Sequence, residues 1–404
     1  PSTLAAMLAK SGAGGALTLS LRGVLYDHRL GNEETLRVCR QHPGFIPAAT
    51  INLARYLDWR EDVEWCLAQG FRAFRLFPER QYWSVRDEAF RRLCERLAPA
   101  RVPLFFTISD GAQATDVAER TADYGLPVVL LLGYYANEAV TIHLARRYPH
   151  VYLDVARRAT PHIVRYLAGE CGADRLLFGS NAPRYCVQPA MNAVFVAGLP
   201  DEQTEQIMSG NLLRLLGGAP AAMPVSAQDA GRGPRYRGYP GPTIDVHAHL
   251  GPWRFPVETK STETMLDYVR RYNLEKVIIS SALGIVYDMA EGNRELKEWI
   301  DPHPELLGYV VTNPNQVEES AAEMDRYYAY PNFVGAKIHG EYSGTPTASD
   351  RMADLFAEIA KRGRPVKIHN AGPGWLAALR DLARAHRDLP IIIAHGGGWG
   401  TCLL

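Results

Sequence analysis

No two cysteines stand at CxxC spacing in this chain; Cys39, Cys66, Cys94, Cys171, Cys186 and Cys402 are scattered along it. That excludes the short-spaced ligand sets of zinc ribbons and dithiol motifs. It suits idle thiols in a reducing, cytoplasmic setting. Neither sign of charge is in excess, since 44 Lys and Arg balance 44 Asp and Glu. A neutral chain offers no electrostatic footprint for nucleic acid or for an anionic membrane as main partner. No apolar run approaches the roughly 18 residues of a membrane span. Two catalytic signatures are missing as well. There is no Gly-x-Ser-x-Gly elbow, and Gly396-Gly-Gly398-Trp-Gly400 lacks the Lys-Ser/Thr that completes a P-loop, so a flexible loop is its expected role. What is left is an ordinary globular composition, 47% hydrophobic and 22% charged. It suits a protein that acts on a small molecule, with homo-oligomer formation left open.

What the chain does have is one pattern twice. Gly23-x-x-Tyr26-Asp27-x-x-x-Gly31-Asn32-x-Glu34 recurs as Gly284-x-x-Tyr287-Asp288-x-x-x-Gly292-Asn293-x-Glu295, an offset of 284 − 23 = 261. The offset holds through His42-Pro43 and His303-Pro304, then drifts to 262 at Phe71 and Phe333 and to 263 at Pro127 and Pro390. Solenoid repeats have periods of roughly 20–50 residues, so a spacing this long predicts a duplicated whole domain. The expected organisation is a first copy over 1–217, a Pro/Gly-rich linker over 218–242 and a second copy over 243–404. By the offset, the first copy lacks its first strand and the second lacks its last two, as in a fragment of a longer tandem protein.

Short apolar runs alternate with one-sided helical patterns such as Met265, Tyr268, Val269 and Tyr272, or Leu4, Met7 and Leu8. The second copy shows strand-like runs at Thr243–His247, Lys276–Ser280, Leu307–Val311, Phe333–Ile338, Pro365–His369 and Pro390–His395. The first shows them at Ala16–Leu21, Ile46–Ile51, Phe71–Phe77, Val102–Thr107, Pro127–Leu132, Val151–Val155 and Arg175–Gly179. Superposed, the copies make eight βα units, which predicts α/β architecture with two tandem (β/α)8 barrels. A doubly wound open sheet would want a glycine loop after its first strand, and Gly12-Ala-Gly-Gly15 precedes one instead. In a permuted alternative, Val151–Asn181 closes the barrel begun by the second copy.

Histidines gather at the strand ends of the second copy, where barrel enzymes carry their chemistry. Asp245-Val-His247-Ala-His249 places two imidazoles at i and i+2, on one face of a strand. His369 and His395 end the fifth and sixth strands, and Lys337 and His339 share a face of the fourth. Convergent neutral imidazoles suit zinc or a similar divalent ion. At the matching positions the first copy has Thr107 for His369, Leu132 for His395, Arg75 for Lys337 and Phe77 for His339. It is expected to fold without holding a metal in this way.

These stretches, with Gly335-Ala-Lys-Ile-His339, Pro365-Val-Lys-Ile-His369, Ala394-His395-Gly-Gly and, in the first copy, Asp174-Arg-Leu-Leu-Phe-Gly-Ser-Asn181, resemble the amidohydrolase-related (amidohydrolase 2) family. This is the branch of metal-dependent barrels that includes aminocarboxymuconate-semialdehyde decarboxylase. The resemblance implies that His247, His249 and His369 bind a divalent metal, zinc foremost. It implies that His395 polarises substrate or steers the bound water, and that Lys337 and His339 contact substrate. Trp253 and Arg254 follow the first strand on the same face. Asn181 stands where the family usually has Asp, which fits a first copy that has lost its chemistry. The expected activity is hydrolysis of an amide, ester or lactone. Non-oxidative decarboxylation on the same site is the rival, and a ligand-binding or pairing role is the rival for the first copy.

Overall fold

The computed structural model describes residues 2–55, 59–132, 138–156, 161–218, 241–253, 261–369, 372 and 374–397. The chain divides into two compact units, one through Tyr236 and one from Arg237 onward.

The first unit is built on parallel strands joined by helices. β1 (Ala16–Thr18) pairs with β2 (Phe45–Pro47). A single bridge from Ala49 to Phe74 leads into β3 (Phe74–Leu76), β4 (Leu104–Ile108), β5 (Val128–Leu132), β6 (Val151–Asp154) and β7 (Leu176–Leu177), paired in that order. β6 pairs with β5 and β7, so the Val151–Asn181 segment completes its own sheet and the permuted arrangement is not adopted. Alternation along the strands sets the layers. Phe74, Leu76, Leu104, Phe106 and Leu153 are buried with helix residues such as Cys66, Leu93 and Leu167. The alternate residue Phe105 packs instead with Leu17, Ile46, Ala48 and Ala73, and Leu212 and Leu216 of the closing segment plug that space.

The second unit is a six-stranded parallel sheet in the order β13-β12-β11-β10-β9-β8. Its strands are β8 (Ile244–Leu250), β9 (Lys276–Ser281), β10 (Leu306–Thr312), β11 (Phe333–His339), β12 (Val366–His369) and β13 (Ile391–Ile393). Every expected strand is present, with ends shifted by a few residues. The last is cut shorter because Ala394–Gly397 turns into a 3-10 coil. The helix Thr262–Arg271 starts at a Ser261 cap and buries Met265 and Val269, as its spacing requires.

The repeated Gly-Tyr-Asp-Gly-Asn stretch does the same structural work in both units. Asp27 and Asp288 cap the helices His28–Gln41 and Met289–Ile300. A side chain on Gly31 would lie 2.1 Å from the Gly23 nitrogen, and one on Gly292 would lie 2.1 Å from that of Gly284, so only glycine permits the contact. Asn32 Nδ2 donates to the Thr50 carbonyl at 2.9 Å, and its Oδ1 accepts from the Thr50 amide at 3.0 Å. Asn293 clamps Val311 likewise, at 3.1 and 2.8 Å. A buried amide that saturates one strand residue fixes the helix against the sheet. Cys39, Cys66, Cys94 and Cys171 are free thiols. Burial pushes Cys66 and Cys94 up to about 12, which leaves them inert. Cys402 lies outside the described residues.

Candidate metal centre

Five histidines of the second unit meet in one cluster at the strand ends. The rings of His247 and His249 lie 5.1 Å apart, His247 and His395 4.7 Å, His395 and His369 5.2 Å, and His369 and His339 4.0 Å. Register explains the meeting: His339 on β11 pairs directly with His369 on β12, so their rings stack, at an interplanar angle of 22°. β8 carries an irregularity between Asp245 and Ala248, where three steps on β8 face two on β9. The bulge turns the two imidazoles of the His-x-His stretch.

The backbone of that bulge is held from several sides. Asp245 Oδ1 accepts from the His247 amide at 2.8 Å and Oδ2 from the Tyr268 hydroxyl at 3.0 Å. The Val246 carbonyl accepts from Lys367 Nζ at 2.8 Å and from the Tyr309 hydroxyl at 3.3 Å. Ser280, register partner of His249, places Oγ 2.9 Å from His249 Nδ1. This is the outer-shell arrangement that orients a metal-ligating imidazole through its second nitrogen. Trp253 packs 5.2 Å from the His249 ring and donates through Nε1 to the Tyr342 hydroxyl at 3.0 Å, while Tyr342 packs 4.6 Å from His339. The two aromatics wall one side of the cluster. Arg254 and Gly398–Gly400 lie outside the described residues.

Electrostatically the site is a set of neutral imidazoles beside two lysines whose own charge is weakened by burial. Burial pushes His247 and His339 down to about 2 and His369 to about 4, and lowers His249 and His395. The Lys337 ammonium is the next cause for all of these except His339, where His369 precedes it. Lys337 is fully buried, and its Nζ has no hydrogen-bond partner. Burial followed by Lys367, its register neighbour, pushes Lys337 to about 7, and burial pushes Lys367 to about 8.

The donor set fits a divalent ion. The imidazoles are unprotonated at neutral pH, and His247 Nε2 is buried with no protein partner, which leaves a lone pair for a ligand. The rings nevertheless pack face and edge. Among the described residues no three His, Cys, Asp or Glu groups already surround one point as a metal shell does. Sequence reasoning singled out all five histidines and Lys337. It passed over Lys367, although Lys-Ile-His369 repeats the Lys-Ile-His339 pattern, and over Ser280, Asp245 and Tyr342, which nothing local marks.

The first unit carries none of these imidazoles at the matching positions. Arg75 faces inward there, its guanidinium lowered by burial against the opposing pull of Asp154. Asn181 adopts φ 53° just beyond β7.

Among curated proteins no relative matches this chain. Solved structures do. An uncharacterised TIM-barrel protein from Bordetella bronchiseptica is 21% identical over 46% of this chain and 72% of its own, with a TM-score of 0.41. The 5-carboxyvanillate decarboxylase of Sphingomonas paucimobilis is 14% identical over 53% and 82%, with a TM-score of 0.45. A manganese-bound dihydroxybenzoic acid decarboxylase from Polaromonas sp. JS666 is 15% identical over 50% and 76%, with a TM-score of 0.38. Identities and TM-scores this low leave the assignment to the family model for amidohydrolases, which matches residues 28–218 and 244–400. Those two stretches cover most of the sequence, and the chain belongs to the amidohydrolase family.

Proposed function

We propose that the second unit is a metal-dependent hydrolase that cleaves an amide, ester or lactone bond of a small molecule. The observation that carries this reading is the cluster of five histidines, four of them buried or half-buried and His395 exposed, with an unpartnered nitrogen on His247 and an oriented one on His249. In it His247, His249 and His369 would hold the ion, and zinc is the ion that neutral nitrogen donors would suit best. Such an ion supplies a water ionised near neutral pH. His395, between His247 and His369, polarises the substrate carbonyl. His339 stacks on His369 and holds its ring plane. Trp253 and Tyr342 form the wall against which a planar substrate rests.

Lys337 favours the second reading, non-oxidative decarboxylation. A fully buried lysine amine with no partner, held at about 7, is kept protonated by a carboxylate that arrives with the substrate. The cytoplasm, and for the first unit a non-catalytic ligand-binding or pairing role, complete the proposal. Metal analysis of protein purified without chelator tests the common part: less than one equivalent of zinc, manganese or iron per two chains ends it. Incubation with a panel of aromatic acids and lactones then separates the readings, since released carbon dioxide and a ring-opened acid are distinguishable products.

A further inference from the structure

The first unit has a recess at the opposite end of its strands from the metal-site positions. It has a volume of about 780 Å³ and is lined by the starts of β3 and β4, the turn before β4 and the end of the closing segment. Cavities of this size accept small molecules. Among the described residues four arginines line it, Arg72, Arg96, Arg101 and Arg214, and no Asp or Glu does.

The arginines differ in how far they are committed. Arg96 is paired with Glu64. Arg214 Nη2 donates to the Asp174 carbonyl at 2.9 Å, which leaves its charge uncompensated. Arg72 reaches only the Gly218 carbonyl, at 3.4 Å. The Arg101 side chain has no hydrogen bond or ion pair among the described residues, and its backbone sits at φ 48°. The left-handed region costs a non-glycine residue roughly 1–2 kcal/mol. The matching residue of the second unit, at 101 + 262 = 363, is Gly363, with φ 64°. The first unit therefore places an arginine where the backbone asks for glycine, and strain of this kind points to a functional demand.

The rest of the comparison agrees. Arg72 corresponds to Val334 (72 + 262 = 334). Of the cations nearby in the second unit, Lys361 and Arg362 are paired with Glu358 and Asp325, and Arg364 donates to the Phe333 and Tyr328 carbonyls. Residues 219–240, which follow directly, carry Arg232, Arg235 and Arg237 against Asp229, so their charge matches the recess in sign and does not complement it. The geometry points to a binding site for a small organic phosphate in this recess. Arg72, Arg101 and Arg214 would grip the phosphate dianion, and the apolar body would rest on Leu67 and Tyr152. Planar guanidinium forks match phosphate oxygens, and three uncompensated cations exceed what one carboxylate neutralises.

Phenyl phosphate is a suitable probe, titrated calorimetrically into the full chain. The wild type binds it, benzyl alcohol does not replace it, and His369→Ala, which disables the histidine cluster, binds equally well. The double variant Arg72→Val/Arg101→Gly, which restores the residues of the second unit, binds at least about tenfold more weakly, a loss of about 1.4 kcal/mol. Phenylglyoxal labelling of the wild type gives a second readout that needs no variant: phenyl phosphate shields Arg72 and Arg101. Equal affinity in the double variant, loss of binding in His369→Ala, or labelling unchanged by the ligand each overturns the proposal.

Discussion

Replacing Lys337 with Met is expected to make the metal-free protein more stable while abolishing what the lysine is kept for. The residue is fully buried, its Nζ lacks a partner, and burial with Lys367 nearby holds it at about 7 against an ordinary 10.5. The sign follows from linkage. Between those two values the unfolded chain carries a proton that the folded chain does not, so stability rises with pH across that window. Below the folded value the penalty is complete; above the unfolded value it vanishes. At pH 7.5 the shift corresponds to about 4 kcal/mol of destabilisation at 1.36 kcal/mol per unit. Methionine has a similar length and no charge to desolvate. Lys337→Met should therefore gain about 2–4 kcal/mol at pH 7.5, allowing for imperfect packing. In a domain of this size that is on the order of 5–15 °C in the melting temperature of the second unit. Differential scanning calorimetry of chelator-treated protein at pH 6.5, 7.5 and 9.5 measures it. The wild type should gain stability towards pH 9.5, and the variant should be flatter. A variant less stable than the wild type with an unchanged pH slope would show that Lys337 is charged and compensated in solution, and the argument for a substrate carboxylate would fall with it.

The remaining expectations concern the metal centre and the scaffold. Because burial and Lys337 hold His369 at about 4 and His247 lower still, bound metal should persist at pH 5.5, where an ordinary histidine is mostly protonated; dialysis at stepped pH with metal analysis checks this. Ser280→Ala should weaken metal affinity by about 10–100-fold by freeing His249 Nδ1, measured by chelator competition. Asn293→Ala removes both bonds to Val311 and one to Glu323, and should cost about 2–4 kcal/mol in urea unfolding. Gly292→Ala should cost more than about 3 kcal/mol or prevent folding, since its methyl has nowhere to go beside Gly284.

The architecture was legible because strands and helices announce themselves by period. The runs ending at His339 and His369 are apolar and β-branched and close where chemistry begins, so their place in the sheet follows. The five histidines were legible for the same reason: each stands at a strand end, and a parallel sheet brings strand ends together. What could not be read depends on pairing across the sheet. Ser280 matters only because β9 registers it opposite His249, and Lys367 because a bulge in a distant strand exposes the Val246 carbonyl to it. Nothing in the local sequence marks the left-handed backbone of Arg101.

The kink in β8 has a consequence for anyone reading variation at this position. Lys367 and Tyr309 grip residue 246 by its main-chain oxygen, while the valine side chain is 40% exposed. Most amino acids supply the same oxygen, so position 246 should drift freely among homologues and look dispensable. An engineer grafting the two histidines onto a straight ribbon would copy every conspicuous letter and still leave out the anchor.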